Sequence, residues 1–94
     1  MKSIIQKDKE CFITGSKYNL HKHHVYEGGR RSLSEKYGLW IWLREDWHNM
    51  SDYAIHFDEQ LNRHIKAYVQ QVSMEYYGWS IEKFTKIMGR NYIE

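Results

Sequence analysis

Leu20-His21-Lys22-His23-His24-Val25-Tyr26, followed after a glycine pair and a charged stretch by Leu39-Trp40-Ile41-Trp42-Leu43, decides how this chain folds. The second run is apolar and β-prone, and is the strongest strand signal in the chain. Asn19 to Tyr26 also reads as a strand, but with a geometrical conflict. Neighbouring residues of a strand point to opposite faces, so His23 and His24 cannot share one site within a regular strand. The strand is therefore expected to end or twist there, and Gly28-Gly29 makes either feasible.

Working outward, residues 1–10 are polar around Ile4-Ile5 and read as an irregular arm or a short strand. Cys11-Phe12-Ile13 reads as a strand ended by Thr14-Gly15-Ser16. Arg30 to Tyr37, closed by Gly38, reads as a loop with one helical turn at most. Arg44-Glu45-Asp46 interrupts the second strand, and Trp47 to His56 is expected to form a helical turn or two with an irregular exit. Phe57, Leu61, Ile65, Val69, Val72 and Tyr76 recur at helical spacing and predict one apolar face of a long helix. Asp58 suits its N-cap, and Gly78 the position beyond its C-terminus. Ser80 caps a short final helix with Ile81, Phe84, Ile87 and Met88 inward, stopped by Gly89. The fold class is α+β.

Ninety-four residues predict a single domain, 1–94, with a marginal core that 16% aromatic content helps to fill. Charged residues at 28% and hydrophobic residues at 41% exclude a disordered chain. Cys11 is the sole cysteine, so no intrachain disulfide forms. With no signal peptide in the polar start and no membrane-length apolar run, the expected location is the cytoplasm, with no membrane contact. The net charge is only +2, but residues 1–50 carry nine Lys/Arg against six Asp/Glu, and residues 51–94 five against six. The first half is the better candidate to face a polyanion.

Of six histidines, three fall within positions 21 to 24. His64, between Arg63 and Ile65 on the long helix, reads as a surface residue, and His21 shares a strand face with His23. His23, His24, His48 and His56 form the more telling set. Imidazole suits Zn, Ni, Cu or Fe, and three ligands with open positions make a catalytic rather than a structural metal site. A fourth, unliganded imidazole can act as general base. Metal and base together would hydrolyse a phosphodiester.

The His23-His24 pair after a short strand, the apolar second strand and His48-Asn49 after it resemble the ββα-metal core of HNH endonucleases (His-Me finger proteins). Residues 10 to 93 more narrowly resemble small phage-encoded HNH proteins related to recombinase-dependent nucleases. The resemblance extends through Cys11, Leu20-His21-x-His23-His24, Ser34-Glu35-Lys36-Tyr37-Gly38, His48-Asn49-Met50-Ser51, His56-Phe57 and Phe84-x-x-Ile87-x-Gly89-Arg90-x-Tyr92. It implies a core at about 10–57 and a helical extension at about 58–94. It also implies a metal-dependent DNA endonuclease or nickase of phage or prophage origin, acting in recombination or packaging in the bacterial cytoplasm.

The resemblance implies His23, His48 and His56 as ligands of one divalent ion (Mg, Mn, Ni or Zn) and His24 as general base. Lys22, Arg30 and Arg31 would hold DNA phosphates. Asn49 and His21 would support the ligands, and a recombinase filament or another phage or host protein is an implied partner. Two departures stand out. Relatives carry two Cys-x-x-Cys/His pairs for a structural zinc, but the corresponding runs here are Cys11-Phe12-Ile13-Thr14 and Arg44-Glu45-Asp46-Trp47. Three of four ligand positions have lost their ligand, so no structural zinc is expected, and packing of Trp47 and of Trp40 to Trp42 is expected to replace it. Arg30 stands where the turn asparagine is expected, which weakens support for the base. The alternative reading is a catalytically impaired HNH-derived binding protein, such as an inhibitor of a host defence complex.

Overall fold

β1 (Leu20–His24) and β2 (Trp40–Arg44) form a two-stranded antiparallel sheet, with His23 opposite Ile41 and His24 opposite Trp40. The structure, a computed structural model, describes residues 1–50 and 58–93, and of Asn49 and Met50 only the backbone. The register places His21, His23, Ile41 and Leu43 on one face, and Lys22, His24, Trp40 and Trp42 on the other. Ile41 and Leu43 are fully buried in the core with Val69 and Phe84.

The N-terminal arm runs along the free edge of β2 and reaches the indoles of the opposite face through Met1 and Lys9. Ser3 donates its hydroxyl hydrogen to the Trp40 carbonyl (2.6 Å), and Trp42 N–H donates to Gln6 Oε1 (2.7 Å). Trp40 and Trp42 meet edge to face at 5.3 Å, with Lys22 over one ring and Lys9 over the other. A strand covered on both sides needs apolar residues on both sides, which is why Leu39 to Leu43 does not alternate.

Between the strands the chain makes a 3₁₀ turn (Gly28–Arg30) and then α1 (Arg31–Tyr37). The expected loop is thus a two-turn helix. Its polar sequence conceals an anchor: buried Ser34 donates to the Tyr26 carbonyl (2.8 Å) and accepts from Tyr26 N–H (3.1 Å). α1 ends at Gly38 in the left-handed conformation (φ 70°), where a Cβ would collide with the Lys2 carbonyl oxygen.

Cys11 to Ile13 is not a strand. Cys11 N–H donates to Ser16 O and Gly15 N–H to Cys11 O, closing a tight turn, while Phe12 N–H reaches Trp42 O. Beyond β2 lies a π-helical turn (Asp46–Met50), the first part of the expected Trp47 to His56 segment. The remainder of that segment lies outside the described residues.

α2 (Glu59–Tyr77) is capped by Asp58, which accepts from Leu61 N–H, and α3 (Ile81–Met88) by Ser80, which accepts from Lys83 N–H. The buried positions of α2 are Ile65, Val69, Gln70 and Ser73. Tyr76, expected on the inner face, is 61% exposed, and Val72 is only half-buried. The inner face is displaced because Gln70 docks the C-terminal tail: its amide donates to Asn91 Oδ1 (2.8 Å), and its carbonyl accepts from Tyr92 N–H (2.7 Å). On α3, Phe84 and Met88 are buried, whereas Ile81, expected inward, is exposed. Both helices share one buried cluster with the hairpin. No helix among the described residues is long and apolar enough to cross a membrane.

Candidate functional site

The end of β1 gathers the residues singled out by chemistry. A cleft of about 250 Å³ is lined by Lys22, His23, His24, Glu27, Gly28, Arg31 and His48. Strand pairing continues unbroken through His23 and His24, so the pair does not reach a common cleft by distorting the strand. The strand instead stops at His24 and turns away at Gly28 (φ 60°), and the cleft wraps its end so that both faces border it.

On the core-side face, His23 is 2% exposed. Its Nε2 lies 3.6 Å from Glu27 Oε1. His48 comes from the π-helical turn, and its ring centroid is 5.2 Å from that of His23. His21 is closer still. Its Nδ1 lies 3.2 Å from His48 Nδ1, and its Nε2 lies 3.9 Å from Glu45 Oε2.

On the other face, His24 Nε2 is 2.9 Å from Glu35 Oε1. The same carboxylate accepts from Lys22 Nζ (3.1 Å) and from the Met1 amino group (3.3 Å). Hydrogen bonds from His24 first, and Lys22 second, hold the Glu35 carboxyl down at about 2. A carboxylate so placed favours the His24 tautomer that carries its proton on Nε2. In sequence Glu35 carries no mark of a role of its own, because Arg30 to Tyr37 reads as a loop, whereas it lies on α1. The signal was its four-residue spacing from Arg31 on a helix that packs beside β1.

The cations divide. Arg31 is exposed and makes no salt bridge among the described residues; it lines the cleft and the neighbouring groove beside Glu35. Lys22 is shared between Glu35 and the face of Trp40, 4.1 Å away. Arg30 points elsewhere: its guanidinium lies so close to Gly89, at the C-terminal end of α3, that a Cβ there would meet Nη2 at 2.6 Å. That helix end favours a cation. His64 is exposed on α2. His56 lies outside the described residues, as does the side chain of Asn49.

The two runs where the resemblance places zinc ligands do face each other. Cys11 is buried, and burial, the largest influence, raises its thiol pKa; hydrogen bonds from Thr14 and from the backbone of Arg44, Thr14 and Ile13 outweigh it and lower the value overall. In the second run Arg44 grips Asp46 through two bonds, Nε to Oδ1 (2.6 Å) and Nη2 to Oδ2 (2.7 Å). This ion pair lies within the second run and does not join it to the first. Trp40 and Trp42 pack on the far face of the sheet rather than where the resemblance places the zinc.

A metal implied by the resemblance can be tested against donor spacing. Two nitrogens bound to one tetrahedral ion at about 2.0–2.1 Å stand about 3.3 Å apart, with imidazole centroids roughly 5 Å apart. The His21–His48 nitrogens at 3.2 Å and the His23–His48 centroids at 5.2 Å both fit. As placed, no three of the described His, Cys, Asp or Glu residues converge on one point. The pairs fit the spacing of two ligands, and no third described donor joins them. Comparison with protein-family models, with curated proteins and with solved structures finds no match.

Proposed function

We propose that the chain is a metal-dependent DNA endonuclease or nickase of the ββα-metal type, hydrolysing phosphodiester bonds. The observation that carries this reading is the single cleft bordered by His23, His24, His48, Lys22 and Arg31. A ligand pair, a base and two cations at one place is what phosphodiester hydrolysis requires.

In this reading His23 and His48 hold one divalent ion, with His56 the third ligand that the resemblance adds. The bound ion would polarise the phosphoryl group and steady the leaving oxygen. The protein's own part is positional and protonic. His24 Nδ1 takes the proton from the attacking water, while Glu35 holds Nε2–H and steadies the imidazolium that forms. Glu35 thereby serves where the turn asparagine is missing. Arg31 and Lys22 neutralise the phosphates on either side and set the strand across the cleft. Phage origin, a role in recombination or packaging, and dependence on a recombinase filament or another phage or host protein belong to the same proposal.

The test is supercoiled plasmid incubated with purified protein and Mg²⁺, Mn²⁺, Ni²⁺ or Zn²⁺, beside His24→Ala. Nicking or linearisation is expected in at least one metal, with His24→Ala slower by roughly 10²–10⁴-fold. No cleavage in any metal, or equal cleavage by the variant, sinks the enzyme and leaves the HNH-derived binding protein.

A further inference from the structure

We propose that the surface built by the N-terminal half of α2 and the C-terminal tail docks an acidic segment of a partner protein, whose carboxylates pair with Arg63, Lys66 and Arg90. This goes beyond the nuclease reading and shares no residue with the cleft.

The surface is fixed from below. Fully buried Gln70 donates to Asn91 Oδ1 (2.8 Å) and accepts from Tyr92 N–H (2.7 Å), and the Tyr92 ring packs against Tyr26 with centroids 5.4 Å apart. Cations collect around that ring. Lys66 Nζ lies 5.7 Å from its centroid and Arg90 Cζ 5.4 Å. Arg63 and His64 line a cavity of about 700 Å³ with Tyr92, and Arg30 adds a guanidinium at Gly89, the neighbour of Arg90 in the chain. Among the described residues, Arg30, Arg63, Lys66 and Arg90 make no salt bridge. Like charges thus stand together with their donors open to an anion, and together they attract one.

The rest of the cavity favours a peptide over a nucleic acid. Glu59 and Gln60 also line it, while Asp58 is held by its cap bond to Leu61 N–H. A phosphodiester backbone offers only acceptors, so Glu59 repels it. An acidic peptide presents carboxylates to the arginines and its own backbone N–H groups to Glu59. A guanidinium matches a carboxylate through two parallel hydrogen bonds, and arginine clusters are a recurring means of holding acidic motifs. A concave site of this volume receives side chains, whereas a duplex lies across a surface.

The experiment is fluorescence anisotropy of a labelled oligoglutamate peptide titrated with the full chain at low ionic strength, with oligoglutamine as the control. Oligoglutamate is expected to bind and oligoglutamine not to. The double variant Arg63→Gln, Arg90→Gln should weaken binding about tenfold, and Arg31→Gln, in the cleft, should change it less than about twofold. Arg63 and Arg90 are exposed, so replacing them leaves the core intact, which circular dichroism checks. No binding of oligoglutamate, equal binding by the double variant, or equal weakening by Arg31→Gln overturns the proposal. A double variant that loses duplex DNA as strongly as oligoglutamate makes the face a nucleic-acid surface and overturns it too. Plasmid cleavage should be unchanged in the double variant, so failure of the nuclease reading and failure of this one are told apart.

Discussion

Adjacent residues His23 and His24 lie on opposite faces of the hairpin. One side chain is 2% exposed on the core side of the hairpin, and the other is 12% exposed against Glu35. Glu35 is the residue whose ionisation can be followed. Its folded carboxyl titrates at about 2 against an ordinary 4.5, so its stabilising effect is full above about pH 4.5 and fades as pH falls towards 2. Because its side chain is 40% exposed, solvent screens the gain. Glu35→Gln should therefore cost no more than about 1 kcal/mol at pH 7. Urea unfolding should show that difference shrinking as the pH is lowered from 5 towards 2 (roughly the interval between the two titrations). A pH-independent difference would place the effect in packing rather than in charge.

At the scale of elements, the hairpin and the two capped C-terminal helices were legible because apolar spacing and capping residues are local signals. α1 was not. Its only buried side chain is Ser34, which holds Tyr26 by hydrogen bonds, so no apolar period marks it. The C-terminal end of α1 gives a test of the arm that runs along β2. Gly38 and Gly78 both have φ of 70°, but a Cβ at Gly38 meets the Lys2 carbonyl, whereas nothing lies within 4 Å of one at Gly78. Each substitution to alanine carries a conformational cost of about 1–2 kcal/mol. Gly38→Ala should lose clearly more, and its denaturant midpoint should fall below that of Gly78→Ala because the arm must move. Equal midpoints would show that the arm contributes nothing to stability.

On the scale of the whole molecule, the net charge of +2 allows few phosphate contacts, and the structure separates the three cations expected to make them. Arg31 and Lys22 border the cleft, while the Arg30 guanidinium lies on the end of α3. Binding to duplex DNA should therefore depend only modestly on salt, with a slope of log K against log salt of about −2 to −3. Arg31→Ala should reduce that slope by about 1 and Arg30→Ala should leave it unchanged, measured by fluorescence anisotropy across a salt series. A slope that falls equally in both variants would return Arg30 to the DNA surface.

The α+β class, the two strands, the long helix from Asp58 to Gly78 and the histidine-rich end of the first strand were determined by sequence alone, because each depends on residues close together in the chain. Tertiary structure decided the rest. It set Glu35 behind His24, turned Arg30 away, and paired Arg44 with Asp46 after β2. Above all it brought His48 to His21 as well as to His23. That pairing spans 27 positions, a separation no local pattern encodes; it follows from the antiparallel register and the turn after β2.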